Sequence, residues 1–204
     1  MPDPNLTAAI REAYASAPSD VVTLHTIELL HSAFTEPVRV VRNHADQKTW
    51  QALGGAAVDA VLDGMEEKAR RNVGLVARLE ASAPENGGQM VAFIALAFDI
   101  DLPEVNTSAA PEAVVTVDNV DEEINRQLER AATGTEKIRA IYRPYLSTDI
   151  EGPQADPPMI LTLGDVTVTD MQMSAPAGFP DVGNRAFPNE TYTARRFRGL
   201  AASQ

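Results

Sequence analysis

Cysteine is absent from all 204 residues of the chain. Its absence excludes disulfide bonds, a thiolate nucleophile, iron–sulfur clusters and cysteine-ligated zinc. Long apolar runs are missing too, because the longest, residues 90–98, is about half of what a membrane-spanning helix needs. The first residues also do not form the basic and then apolar stretch of a secretion signal. We therefore expect a soluble protein that is made in the cytoplasm.

Basic residues are scarce relative to acidic ones. The chain has 17 Lys and Arg against 29 Asp and Glu, which gives a formal net charge of −12 at pH 7. A field of this sign repels nucleic acid backbones and anionic lipid surfaces. The charge balance therefore predicts no nucleic acid partner and no membrane insertion.

What the sequence does contain is a series of β-rich runs separated by turn residues. Residues 21–30 and 38–42 predict an antiparallel hairpin, and residues 90–100 are apolar on both parities, as in a strand buried between two layers. Further predicted strands are residues 73–79, 113–117, 137–146 and 159–168. These strands predict a mainly β (α+β) fold with two to three flanking helices and an extended C-terminal arm.

Three segments have the apolar spacing of a helix. Leu6, Ile10 and Tyr14, each four residues apart, predict a short N-terminal helix. A second helix is predicted within residues 54–72, and a third begins after Asn119, which is a favourable N-cap. The helices are expected to flank the sheet.

The chain divides into a β-rich domain, residues 1–173, and an extended C-terminal arm, residues 174–204. Pro176, Pro180 and Pro188 interrupt regular structure in the arm, and its apolar residues are too far apart to form one core. An arm with these properties is expected to lie on a surface, or else to fold back on its own domain or fray.

The arm also carries basic residues at the end of an acidic chain. A neighbouring acidic copy is a suitable partner for such a segment. The predicted protein-interaction residues are Phe187, Tyr192, Arg195, Arg196, Phe197, Arg198 and Leu200.

The sequence carries no recognisable catalytic motif. It has no GxSxG, no phosphate-binding loop and no dinucleotide-binding glycine pattern, so we expect no catalytic residues and no cofactor. His25 and His31 share strand parity, but six residues along a strand span about 20 Å, too far to share a metal. With His44 they are expected to be ordinary surface histidines, and no metal site is predicted.

Two other groups of residues are weaker site candidates. Asp99, Asp101 and Glu104 could form an acidic cluster for calcium or general-base chemistry, although a strand that leaves a core also becomes polar there. Trp50 and Gln51 could line a pocket, although a single Trp more often contributes to packing.

Two segments around the third helix carry a resemblance to known proteins: Thr116-Val117-Asp118-Asn119-Val120 and Ile141-Tyr142-Arg143-Pro144-Tyr145-Leu146. Shorter pieces agree in the same order: Tyr14-Ala15-Ser16, Leu24-His25-Thr26-Ile27-Glu28, Phe98, Leu102-Pro103-Glu104, Thr191-Tyr192-Thr193 and Phe197-Arg198-Gly199-Leu200. In these pieces the chain resembles a phage protein family of unknown function from tail gene clusters.

A more distant similarity links the chain to the lambda-like minor tail protein L of siphophage tail tips, whose fold resembles the split barrels of distal tail proteins. This resemblance implies an antiparallel split-barrel or sandwich-like domain. The chain departs from that family because it has no cysteine for the iron–sulfur region. Residues 54–72 also look like a helical insertion relative to the family pattern.

The resemblance implies a structural minor tail protein of a long-tailed bacteriophage or prophage, in the virion tail and, during assembly, in the host cytoplasm. It would form a ring of identical copies that joins the tail tube to the central hub, with tail tube, tape measure and hub proteins as partners. Two alternatives remain: a tail assembly chaperone that is absent from the mature particle, and a small tail-associated hydrolase using Asp99, Asp101 or Glu104.

Overall fold

The structure, a computed structural model, describes residues 6–16, 18, 20–101, 112–118, 122–132, 134, 136–169 and 172–179. Ten strands form one sheet: β1 (Thr23–Leu30), β2 (Val38–Val41), β3 (Val73–Arg78), β4 (Met90–Ala95), β5 (Phe98–Asp101), β6 (Glu112–Asp118), β7 (Arg139–Leu146), β8 (Met159–Leu163), β9 (Thr167–Val168) and β10 (Gln172–Gly178). Four helices accompany it: α1 (Ala8–Ser16), α2 (Gln51–Asp63), α3 (Glu67–Arg71) and α4 (Glu122–Ala132). The prediction of a mainly β fold is confirmed.

The strands follow the order β3-β4-β2-β1-β7-β8-β10-β6-β5, and β9 pairs with β10. The hairpin of β1 and β2 is antiparallel, as predicted, with Ile27 opposite Val40. Strands β2 and β4 run parallel, so the sheet is mixed rather than wholly antiparallel. Within the described residues the path ends at β3 and β5, and the sheet is not closed into a barrel.

Both faces of the central strands are buried, in two separate cores. The first core joins β1, β2 and β7 to β5, β6, β8, β10 and α4, and it includes Ile27, Val40 and Leu128. The second core lies on the other face between the sheet and α2, and it includes Val41 and Trp50. Adjacent residues Val40 and Val41 enter different cores because side chains alternate along a strand.

The helices are largely where their apolar spacing predicts. Helix α1 buries Ile10, and α4 buries Leu128 and Ala131, whereas its predicted N-cap Asn119 lies outside the described residues. The segment predicted as one helix, residues 54–72, is instead two helices, α2 and α3, separated by the turn that contains Gly64.

The predicted single strand of residues 90–100 is wrong in one respect, because the chain changes partners within it. The backbone N–H of Leu96 donates to the carbonyl of Val41, the last residue of β2. The carbonyl of the next residue, Ala97, instead accepts from the backbone N–H of Asp118 at the end of β6. Strands β4 and β5 are therefore consecutive in the chain but lie in different parts of the sheet. Apolar residues on both parities predict burial correctly but do not reveal a change of partner.

The prediction that the arm begins at residue 174 is also wrong, because residues 172–178 form β10 between β8 and β6. Pro176 is tolerated there for a geometric reason. Its carbonyl accepts from the backbone N–H of Gly164 at 2.7 Å. On this edge β10 pairs first with β9 and then with β8, and Pro176 lies between the two paired stretches. The proline nitrogen faces the same side, where the missing N–H interrupts no regular ladder.

Candidate functional site

The largest polar cluster of the described residues is buried beside the second core. The guanidinium of Arg143 on β7 contacts both carboxylate oxygens of Glu80, with Nε to Oε2 at 2.7 Å and Nη2 to Oε1 at 2.8 Å. Its Nη1 donates to Oε2 of Glu28 on β1 at 2.8 Å. The side chains of Arg143 and Glu28 are 0% exposed. We call Glu28, Arg39, Glu80 and Arg143 the buried ion cluster.

Arg39 on β2 completes the buried ion cluster. Its Nε donates to Oε1 of Glu28 at 2.8 Å, and its Nη2 donates to Oδ1 of Asn86 at 2.8 Å. Two arginines thus face two glutamates, so their formal charges cancel. Burial by itself lowers the pKa of Arg143, but the hydrogen bonds and charges of Glu80 and Glu28 outweigh it and raise that pKa. The cluster therefore connects β1, β2, β7 and the turn after β3, and its geometry is that of a structural ion pair network.

Tyr145 extends this polar region into the second core. Its Oη donates to the carbonyl of Arg78 at 3.0 Å, and its ring meets Phe93 edge-on at a centroid distance of 5.9 Å. Burial raises the pKa of the Tyr145 hydroxyl well above its ordinary value. The hydroxyl therefore stays protonated and serves as a hydrogen-bond donor.

An open cleft of about 830 Å³ lies where β1 begins, β2 has just ended and β4 passes into β5. His25, Arg42, Asn43 and His44 supply its polar lining. The structure thus places His25 and His44 on the same cleft. His31 lies at the other end of β1, with its Nε2 at 3.9 Å from Oε2 of Glu136.

His25 is the most constrained histidine of the cleft. Its Nδ1 lies 2.6 Å from Oη of Tyr142, and the two rings are stacked with centroids 5.9 Å apart. Burial, and after it the charge of Arg42, lower the pKa of His25. Burial, together with the neighbouring Tyr14, raises the pKa of Tyr142. Both groups are therefore neutral at pH 7, and the charge that acts on His25, that of Arg42, disfavours its protonation.

The acidic candidates divide between described and undescribed residues. Asp99 accepts from Nη1 of Arg42 at 3.3 Å, and both side chains are more than half exposed. Asp101 contributes its backbone to β5, while its side chain and all of Glu104 lie outside the described residues. Among the residues that the structure describes, no three His, Asp or Glu side chains gather into a metal site.

Trp50 belongs to the second core rather than to a pocket. Its side chain is 1% exposed, and its indole Nε1 has no hydrogen-bond partner among the described residues. Gln51 is the first residue of α2 and is exposed. The packing interpretation of the single Trp is therefore the one that the structure supports.

The sheet presents an open edge and an exposed outer face near β5. In the described part of the chain β5 pairs with β6 alone, so its second edge has no strand beside it. On the outer face of β6 and β10, Val114 is 42% exposed, and Gln172 donates to Oδ1 of Asp118 at 2.7 Å. An unpaired strand edge of this kind can accept a strand from another chain.

The predicted interaction residues of the arm are not placed by the structure. Phe187, Tyr192, Arg195, Arg196, Phe197, Arg198 and Leu200 all lie outside the described residues. Their proposed role therefore rests on the sequence.

The buried ion cluster is what sequence reasoning missed. Glu28 interrupts the apolar run Ile27 to Leu30, and Arg143 stands among the aromatic residues of β7, so each was visible as a charge in a buried strand. Pairing them required the register of β1 against β7, in which Thr26 is opposite Arg143. Local periodicity does not supply that register.

Comparison with protein families gives a match over most of the chain. The family model described as "Domain of unknown function (DUF1833)" matches residues 9–192, which includes every described strand and almost all of the four helices. No curated protein matches the chain.

Proposed function

The chain belongs to the DUF1833 family, and we propose that it is a non-enzymatic structural subunit of a long-tailed bacteriophage or prophage. It is a minor tail protein that forms part of the tail-tip ring between the tail tube and the central hub. Its partners are other tail proteins and further copies of itself.

The residues that resemble phage tail-cluster proteins lie in the framework of the fold, which supports this proposal. Thr116, Val117 and Asp118 belong to β6, and the segment from Ile141 to Leu146 belongs to β7, the middle strand of the nine in line. That segment includes Arg143 of the buried ion cluster. The resemblance therefore involves residues that determine the architecture.

The observation that carries the proposal is the outer edge of β5, which has no second strand beside it in the described part of the chain. Unpaired strand edges are binding surfaces, because a second chain can add a strand through main-chain hydrogen bonds. The exposed Val114 on the neighbouring outer face adds apolar area to such a contact. A ring of identical copies needs one surface on each copy that meets a different surface on the next.

The polar residues of the described part of the chain also favour a structural role. The buried ion cluster is neutral and makes hydrogen bonds within the protein, and the His25 ring is bonded to Tyr142 rather than to a nucleophile. A catalytic group needs a perturbed pKa suited to its task and access to substrate. These residues instead hold strands together.

The proposal is tested by locating the chain in the particle. A tag placed before Met1 is introduced into the phage or prophage that encodes the protein, and purified particles are labelled with gold and imaged. Label at the tail tip is expected. Label along the tube, on the capsid, or on no particle overturns the proposal, and the last outcome favours an assembly chaperone.

A further inference from the structure

A cavity of about 460 Å³ lies between the turn from α2 to α3, strand β4 and helix α4. Met65, Met90 and Ile94 contribute apolar walls, and Gln127 of α4 lines the same cavity. The volume is in the range of pockets that receive a large side chain or a small ligand. The cavity shares no lining residue with the His25 cleft, but Arg39 of the buried ion cluster lies in its wall.

Gln127 has an unused hydrogen-bond acceptor at this cavity. The residue is 6% exposed, and its Oε1 is buried with no hydrogen-bond partner among the described residues. Buried polar atoms are nearly always paired, so an unpaired one indicates a missing donor. The terminal amide torsion of Gln is soft, so Oε1 can turn towards a donor that enters the cavity.

The group that completes this site is therefore apolar and carries an O–H or N–H donor. The C-terminal segment, residues 180–204, contains three aromatic residues: Phe187, Tyr192 and Phe197. Only the phenol of Tyr192 combines a ring with a donor. We infer that the cavity binds Tyr192 from the C-terminal segment of a second copy of this chain, and that its hydroxyl donates to Oε1 of Gln127. This inference rests on the proposed ring of identical copies.

Charge favours the same occupant. Residues 180–204 contain four Arg against two acidic residues and so carry +2, which leaves −14 on the other 179 residues of a chain whose total is −12. Three of these arginines, Arg195, Arg196 and Arg198, follow Tyr192 within six residues, a reach of roughly 20 Å.

Acidic residues lie in the cavity wall or directly next to its lining residues in the chain. Glu36 lines it, Glu66 follows the lining residue Met65, and Glu85 precedes the lining residue Asn86; all three glutamates are exposed. The one Arg that lines the cavity, Arg39, already binds Glu28 and Asn86. Arginines near Tyr192 therefore meet carboxylates at the rim.

The chain's own segment is long enough to compete for this cavity. Tyr192 lies thirteen positions after Phe179, a reach of roughly 40 Å, while β10 and β4 are five strands apart in the sheet, roughly 24 Å. The experiment must therefore separate a contact between copies from a contact within one copy.

The first measurement is self-association of the full chain by sedimentation velocity. Tyr192→Phe is expected to weaken association tenfold or more, because a buried hydrogen bond is lost. In the Gln127→Leu background the same change is expected to have no further effect. Tyr14→Phe, at an exposed tyrosine, is the matched control and leaves association unchanged. Independent, multiplying effects of the two changes, or no association of the unmodified chain, overturn the inference.

The second measurement mixes two full-length variants that are each defective in one half of the contact. Ala92→Trp fills the cavity and keeps Tyr192, while Tyr192→Ala keeps the cavity. Neither should associate alone, and an equimolar mixture should form a one-to-one complex by native mass spectrometry. A mixture that stays monomeric overturns the contact between copies. Met65→Arg replaces Ala92→Trp if circular dichroism shows that the latter is unfolded.

These results are separable from the test of the proposed function. If gold label is found at the tail tip but the two variants form no complex when mixed, this inference alone is overturned. A chain missing from particles overturns the proposed function, and the complex would still be measured in solution.

Discussion

Nη1 of Arg143 lies 2.8 Å from Oε2 of Glu28, and neither side chain is exposed to solvent. The two residues are 115 positions apart in the chain, on neighbouring antiparallel strands β7 and β1. A buried pair of this kind need not add much stability over an apolar pair of equal size. Losing one partner is costly, however, because the remaining charge is stranded in the interior.

Replacing Arg143 with Leu is therefore expected to be strongly destabilising. The change removes the guanidinium that pairs with Glu80 and leaves Glu28 with Arg39 alone, and such losses amount to about 3–5 kcal/mol. Chemical denaturation measures the change in the free energy of unfolding. Arg71→Leu is the matched control, because Arg71 pairs with Glu67 on the surface and should change stability by less than about 1 kcal/mol. A comparable loss from the two variants would contradict the structural role of the cluster.

The free energy of unfolding is expected to decrease as the pH is lowered, and His25 is one residue responsible for this. Burial and the charge of Arg42 lower the pKa of His25 below its usual 6.5, so the unfolded chain takes up this proton first. The contribution of His25 is therefore complete above about pH 6.5 and is lost as pH falls below that value. Denaturation curves at pH 7.5 and 5.5 should show a smaller drop for His25→Gln than for the unmodified chain. Equal drops, or a His25 ring that titrates above 6.5 by NMR, would refute this prediction.

Helix α2 is expected to be part of the core although it looks like an insertion. Leu62→Ala removes a side chain that is 8% exposed and should cost about 2–4 kcal/mol. Leu53→Ala, in the same helix but 49% exposed, should stay within about 0.5 kcal/mol. Thermal denaturation of both variants checks this. A helix that only decorates the surface would give two small effects.

Two truncated chains, one with β10 and one without it, are expected to differ sharply in whether they fold. A chain ending at residue 179 keeps β10 and should unfold cooperatively. A chain ending at residue 171 loses one of the two partners of β6 and three buried residues of the first core, Met173, Ala175 and Ala177. It should lose its near-ultraviolet circular dichroism. A folded chain ending at 171 would show that these residues belong to an arm after all.

Sequence reasoning succeeded where structure depends on local spacing. Apolar residues four apart located α1 around Ile10, and alternation located β7 to within two residues of Arg139. It failed where a distant partner decides the outcome. Strand β4 ends at Ala95 because the chain turns to a new neighbour after Leu96, and Pro176 fits in β10 because Gly164 donates to its carbonyl.

The candidate sites show the same limit. The charges of Glu28 and Arg143 were visible in the sequence, but their pairing and the contribution of Glu80 depend on register and on a turn. Likewise, His25 and His44 are 19 positions apart and share a cleft that neither spacing nor parity indicates. Contacts of this kind arise only when separate strands are assembled.

The central claim is that this chain is a structural part of the tail tip. Quantitative mass spectrometry of purified particles, scaled against the major tail-tube subunit, tests it most directly. The account predicts a few copies per particle, in a ratio that fits a three-fold or six-fold ring. Absence of the chain from intact, purified particles would contradict the account.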